Sequence, residues 1–178
     1  MAESGLNLNQ LTAYQRALLI LDGTVTQFIE AYAGEPVDVI RLHQDRQVLA
    51  AAHAWLKTDV DTEVLTREVI LQGRRSEIIY VHASSLLVIS RIPEKLATLL
   101  ETDSGGIGRI LLGSQIENRR ELLWFGRERI SGTASPGPEE DNDFLSRYYR
   151  VMISGTPVML INEKFPVHLG YPPGTQGI

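Results

Sequence analysis

Two residues carry charge at positions where the surrounding pattern calls for apolar side chains. In LTREVILQG (residues 65–73), alternation along a strand puts Arg67 in phase with Leu65, Val69 and Leu71. In VMLINEKF (residues 158–165) the same alternation puts Glu163 in phase with Met159, Ile161 and Phe165. An arginine stays charged, and a charge taken out of water requires a partner. That partner is either another side chain or a ligand. The first case is a buried structural ion pair between Arg67 and Glu163. The second is a pocket whose floor carries a cation and an acid. There the planar guanidinium takes a carboxylate through two parallel hydrogen bonds, and the glutamate holds a hydroxyl or exchanges a proton.

Other polar residues are weaker candidates. Arg147 and Arg150 in SRYYRVMI fall on opposite faces of a regular strand, so one at most joins such a pocket. The glycines of GGIG (residues 105–108) open a short helix whose first N–H groups suit an anion, although such glycines more often make a plain turn. No P-loop or dinucleotide-binding spacing is present. The histidines His43, His53, His82 and His168 lack metal-ligand spacing. Ser84 and Ser85 lack the nucleophile elbow of a hydrolase. Trp55 and Trp124 read as core or pocket-wall aromatics.

The elements that must position these residues follow from periodicity. Residues 11–21 and 25–33 have helical apolar spacing and are split by Asp22, Gly23 and Thr24. Residues 37–44 alternate as a strand, and residues 45–57 read as helix or irregular cover. Two long strand patterns flank Arg74 and Arg75 as a hairpin. Pro93 opens a third helix and the GGIG segment a fourth. A strand follows at residues 120–130, and a second hairpin turns at residues 154–157. Residues 131–143 are expected to form a mobile loop and residues 170–178 a flexible tail. Helices first, then hairpins separated by helical cover, predict an α+β domain with an antiparallel sheet.

Composition narrows the chemistry. The 178 residues suit one domain, and a hydrophobic share of 43% with a charged share of 22% is that of an ordinary soluble protein. No apolar run is long enough for a membrane span and no export signal is visible, so the cytoplasm is the expected compartment. With no cysteine in the chain, thiolate metal sites, iron–sulfur clusters and cysteine nucleophiles are excluded. A formal charge of -5 argues against nucleic acid as a partner. Within the first 40 residues Arg16 is the sole basic side chain, against five acids, so the paired N-terminal helices do not suit DNA.

Three stretches together resemble the chorismate lyase (chorismate pyruvate-lyase) family: TREVIL around Arg67, GIGR at residues 106–109, and R-x-x-R-V-x-I-S-G-x-P-V-x-L-x-x-E-x-F from Arg147 to Phe165. The resemblance runs from the first helix to Phe165 and is closest to the divergent branch outside the ubiquinone pathway, which includes mycobacterial members. It implies a single domain over residues 1–178, with a six-stranded antiparallel β-sheet and a ligand buried under helical flaps. It implies cofactor-free elimination of pyruvate from chorismate, giving 4-hydroxybenzoate, with no metal. Arg67 would hold the ring carboxylate and Glu163 the ring hydroxyl. Main-chain N–H groups near Val25 and in Ile107–Gly108 would bind the ligand, and Arg147 or Arg150 would meet the pyruvyl carboxylate. A monomer or small homo-oligomer is expected. Where the ubiquinone-pathway branch has an arginine on the second hairpin strand, this chain has Ser84.

Two other readings remain open at this level. The effector domains of one family of bacterial transcription regulators resemble the same fold, which allows a sensor that binds an aromatic acid without turning it over. A DNA-binding domain ahead of it is not expected here, given the acidic N-terminus. A related lyase could also use isochorismate or yield 3-hydroxybenzoate.

Overall fold

The computed structural model describes residues 6–102, 105–129 and 143–170. Six strands form one antiparallel sheet: β1 (Val37–Val48), β2 (Glu63–Gly73), β3 (Ile79–Leu87), β4 (Asn118–Arg129), β5 (Asp143–Ile153) and β6 (Thr156–Pro166). Their spatial order is β1-β2-β3-β6-β5-β4. The second hairpin thus inserts β6 beside β3, and Arg67 and Glu163 end up two strands apart on one face. Its turn has two residues, Ser154 at φ 50° and Gly155 at φ 77°, and this left-handed pair matches the twist of the flanking strands.

Four helices, α1 (Ala13–Ile20), α2 (Val25–Ala33), α3 (Glu94–Thr102) and α4 (Ile107–Ser114), cover that face. A reciprocal cap sets the start of α1: Thr12 Oγ1 accepts from the Gln15 amide, and Gln15 Oε1 accepts from the Thr12 amide. Buried Gln15 also donates to the carbonyls of Val167 and Leu169, fixing α1 to the chain beyond β6. Gly34, at φ 67°, ends α2 in the left-handed conformation that residues with a Cβ seldom adopt.

The apolar residues of this face separate into two clusters. One joins α1 and α2 to Leu71, Val81, Leu145 and Phe165. The other joins α3 and α4 to Leu65, Leu87, Met159 and Ile161. A gap lies between them, above the middle of the sheet, and it is here that the pocket forms. On the opposite face Leu56, Val64, Val88 and Leu160 make a smaller cluster beneath residues 49–62. Arg91 clamps this cover by donating to the carbonyls of Leu56, Lys57 and Pro157.

The antiparallel α+β architecture and the helix positions agree with expectation. One expectation is corrected in detail, and another is narrowed to the second of its two alternatives. Residues 45–48 extend β1 instead of forming helix or cover, because as an edge strand β1 has polar side chains that remain in water while its backbone pairs with β2 down to Glu63. Residues 49–62 are irregular with no helix, held by short backbone bonds such as the reciprocal pair between His53 and Thr58. The expected loop at 131–143 and tail at 170–178 fall outside the described residues, apart from Asp143 and Gly170. No helix among the described residues is long and apolar enough to cross a membrane.

Candidate active site

The cavity between the two clusters encloses about 600 Å³ with its mouth included, within the range of small-molecule sites. Its floor is the middle of the sheet. Directly opposed residues of antiparallel strands share a face, so the pairings Arg67↔Ser85 and Ser85↔Ile161 form one row, and Val69↔Ala83 and Ala83↔Glu163 form the next. Two strand spacings and two residues of rise put the backbones of Arg67 and Glu163 about 12 Å apart. Side chains reaching inward from both leave room for one ring-sized ligand with a polar group at each end.

Arg67 is 2% exposed and lines this cavity. Its guanidinium donates to the carbonyl of Leu100 at 3.2 Å and to that of Gly105 at 2.6 Å. Leu100 belongs to the last turn of α3, where carbonyls lack intrahelical partners and the helix dipole favours a cation. Arg67 thereby joins the cavity floor to the chain leading into α4.

Glu163 is 8% exposed and is paired with Arg147, its direct cross-strand neighbour, instead of with Arg67. Arg147 Nε donates to Glu163 Oε2 at 2.7 Å, and Nη2 lies 2.7 Å from the same oxygen. Nη1 donates to the Leu21 carbonyl at 2.8 Å, in the turn between α1 and α2. The guanidinium also packs on the rings of Tyr149 and Phe165. The Tyr149 hydroxyl donates to Glu163 Oε1 at 3.2 Å. Burial, with the Glu163 carboxylate adding to it, holds this phenol far above its ordinary pKa, so it stays a donor.

Helix starts form the roof. Residues 23–26 at the head of α2 and 106–108 at the head of α4 line the cavity, and the first N–H groups of each helix have no intrahelical acceptor. Val25, Ile107 and Gly108 are all brought to it, while Val39, Leu71 and Ile161 complete an apolar wall. Gly108 allows the two helix heads to meet: a Cβ there would lie 2.9 Å from Thr24 Cγ2.

Of the residues singled out from sequence, Arg67, Glu163, Val25, Ile107 and Gly108 line this one cavity. Arg147 stands behind Glu163 and lines an adjoining cavity. Arg150 lies on the other face of the sheet, donating to Glu121 Oε2 at 2.6 Å and to the Trp55 carbonyl. Ser84 points to that far face as well, opposite Asn162. Tyr149, Ser85, Thr24 and Arg120 line the main cavity without having been anticipated. Among the described residues no group of three or more His, Asp or Glu side chains is placed to hold a metal.

Residues 19–171 match the family described as chorismate pyruvate-lyase Rv2949c-like. Proteins named chorismate pyruvate-lyase are similar over most of their length. One from Mycobacterium tuberculosis (strain ATCC 25618 / H37Rv) is 30% identical over 165 residues, 89% of this chain and 82% of that protein. One from Mycobacterium leprae (strain TN) is 29% identical over 153 residues, 84% of this chain and 72% of that protein. Among solved structures, PhnF from Mycobacterium smegmatis superposes with a TM-score of 0.61 at 12% identity, over 83% of this chain and 65% of that one. The effector domain of PhnF gives 0.60 at 13% identity, over 83% of this chain and 91% of that one. At such identity the two structures speak for the shared fold alone.

Proposed function

Because the chain belongs to the Rv2949c-like chorismate pyruvate-lyase family, we propose that it converts chorismate into 4-hydroxybenzoate and pyruvate as a single domain in the cytoplasm. The observation that carries this reading is the placement of Arg67 and Glu163 at two ends of one apolar, helix-roofed cavity. Chorismate has a ring carboxylate, a ring hydroxyl across from it, and an enolpyruvyl ether on the carbon next to the hydroxyl. Arg67 takes the carboxylate and Glu163 Oε1 accepts from the hydroxyl. Main-chain N–H groups at Val25 and in Ile107–Gly108 add donors above the ring.

Cleavage then breaks the bond between the ring carbon and the ether oxygen, whose electron pair stays with that oxygen. The hydrogen on the hydroxyl-bearing carbon leaves as a proton, which closes the aromatic ring. The enolpyruvate takes up a proton at its methylene carbon and becomes pyruvate. Every atom of chorismate ends in one of the two products and no net oxidation occurs, so the reaction itself demands no cofactor. The protein's work is to hold the reactive pose and to stabilise charge on the departing oxygen. Arg147 serves the second task beside Glu163, whereas Arg150 is too far around the sheet to reach.

A second reading is favoured by the regulator effector domains that share the fold: a sensor that binds an aromatic acid without converting it. Chromatography of chorismate incubated with the protein separates the two. Accumulating 4-hydroxybenzoate supports the lyase; tight 4-hydroxybenzoate binding with chorismate left intact supports the sensor. A different hydroxybenzoate would move the assignment to a related lyase.

A further inference from the structure

A second cavity, about 410 Å³ with its mouth, lies beside the first, between the α1–α2 turn and strands β4 and β5. Arg120 and Tyr149 line both cavities. Arg147 lines the second one as well, so two guanidinium groups border a space with ample room for a three-carbon acid. The Arg147 charge is already engaged by Glu163. Arg120 is different. Its side chain is 16% exposed, its Nε is buried with no hydrogen-bond partner among the described residues, and the acid paired with it there is Asp22, at 3.9 Å. Asp22 is itself 78% exposed, and a pair so long and so open to water is weak.

A buried donor without an acceptor is costly, and a guanidinium offers the fork that a carboxylate matches. The chemistry of the substrate gives the direction. The enolpyruvyl ether stems from the carbon adjacent to the one bearing the hydroxyl. With the hydroxyl on Glu163 Oε1, the ether limb leaves the ring beside Tyr149, whose hydroxyl bonds that same oxygen. In that pose the limb points toward the second cavity, which Tyr149 and Arg120 also line.

We infer that this second cavity is the subsite for a short 2-oxo or enol carboxylate, with Arg120 as the residue that recognises it and Asp22 as the acid it displaces. This rests on the lyase reading and deepens it. The main cavity recognises the features that substrate and aromatic product share, and the second recognises the one the product lacks. Arg120 thus separates chorismate from 4-hydroxybenzoate, and the pyruvate formed there departs over the exposed Asp22 without crossing the ring site.

The test titrates chorismate and 4-hydroxybenzoate separately into wild type, Arg120→Gln and Asp22→Asn by calorimetry, alongside turnover. Arg120→Gln is expected to raise the chorismate KM about 10- to 100-fold, the range for loss of one charge-assisted pair, with 4-hydroxybenzoate affinity unchanged and partial recovery in Arg120→Lys. Asp22→Asn, a surface change that spares the fold, is expected to lower the chorismate KM about twofold to fivefold. An unchanged chorismate KM in both variants, or equal weakening of both ligands in Arg120→Gln, overturns the inference while leaving the lyase reading intact. If wild type binds chorismate without converting it, and Arg120→Gln weakens chorismate alone, the lyase reading falls and the subsite stands.

Discussion

Arg147 and Glu163 face each other across β5 and β6, and the guanidinium holds a single carboxylate oxygen, Oε2, through two of its nitrogens at 2.7 Å each. The other oxygen, Oε1, is left to Tyr149 and to the cavity. The pair fixes the aim of the acid that lines the main cavity.

Removing one member of a buried ion pair strands the other. Arg147→Met is expected to destabilise the fold by about 3–5 kcal/mol, read as a lower urea midpoint with an unchanged slope, and to abolish turnover. The double variant Arg147→Met/Glu163→Leu should recover stability and remain inactive. Recovery of activity in the double variant would mean that Glu163 is structural only.

Arg67 joins two carbonyls near the end of α3 to the cavity floor, so its replacement touches both fold and function. Arg67→Gln keeps a donor for one carbonyl and loses the charge. Activity should fall at least about 1,000-fold, as for loss of an anchoring charge and its geometry, and 4-hydroxybenzoate affinity should fall with it. Thermal stability should drop by only a few degrees, about 1–2 kcal/mol. A melting-temperature loss that accounts for the whole activity loss would contradict the anchoring role.

How much of this was legible in the sequence depended on where strands run regularly. Arg67 and Glu163 sit in uninterrupted period-two stretches, and their inward direction followed from alternation alone. The partner of Glu163 did not follow. Carried strictly from the Ile153↔Thr156 pair, the hairpin register would oppose Arg147 to Asn162, on the far face. The bulge between Val151 and Met152 shifts it by one and brings Arg147 to Glu163. Arg120 was hidden in the same way. Strict alternation puts it in phase with Trp124, but the irregularity between Leu122 and Trp124 turns Phe125 to the helix face instead, opposite Arg147. Bulges insert one residue for reasons of local twist, and no residue type marks them.

Thr24 and Gly108 meet in the roof, so departure of the aromatic product is expected to be slow. Rapid mixing with chorismate should give a burst of 4-hydroxybenzoate in wild type. Gly108→Ala, whose Cβ pushes on the Thr24 methyl, should part the helix heads, diminish the burst and weaken product binding. Thr24→Ser removes that methyl and should restore both. A variant pair with no such rescue would rule out the contact as the closing point.

The half-buried Tyr149 phenol, beside the Glu163 carboxylate, keeps its proton well above the ordinary tyrosine range. Activity should accordingly show no loss through about pH 10 that Tyr149→Phe removes. Stability behaves otherwise. Above about pH 10 the unfolded chain releases this proton and the folded chain retains it, so the unfolded state gains and stability declines as pH rises. Urea denaturation at pH 8 to 11 should show a shallower alkaline decline in Tyr149→Phe than in wild type. Parallel declines would place the phenol in a far more open setting.

The most direct measurement is the stoichiometry of chorismate cleavage: purified protein and chorismate, with 4-hydroxybenzoate quantified by chromatography and pyruvate by a coupled reduction, beside Arg67→Gln and Glu163→Leu. Wild type should give the two products in a one-to-one ratio, and the variants neither above background. Intact chorismate after prolonged incubation with wild type, or equal turnover by the variants, would contradict it.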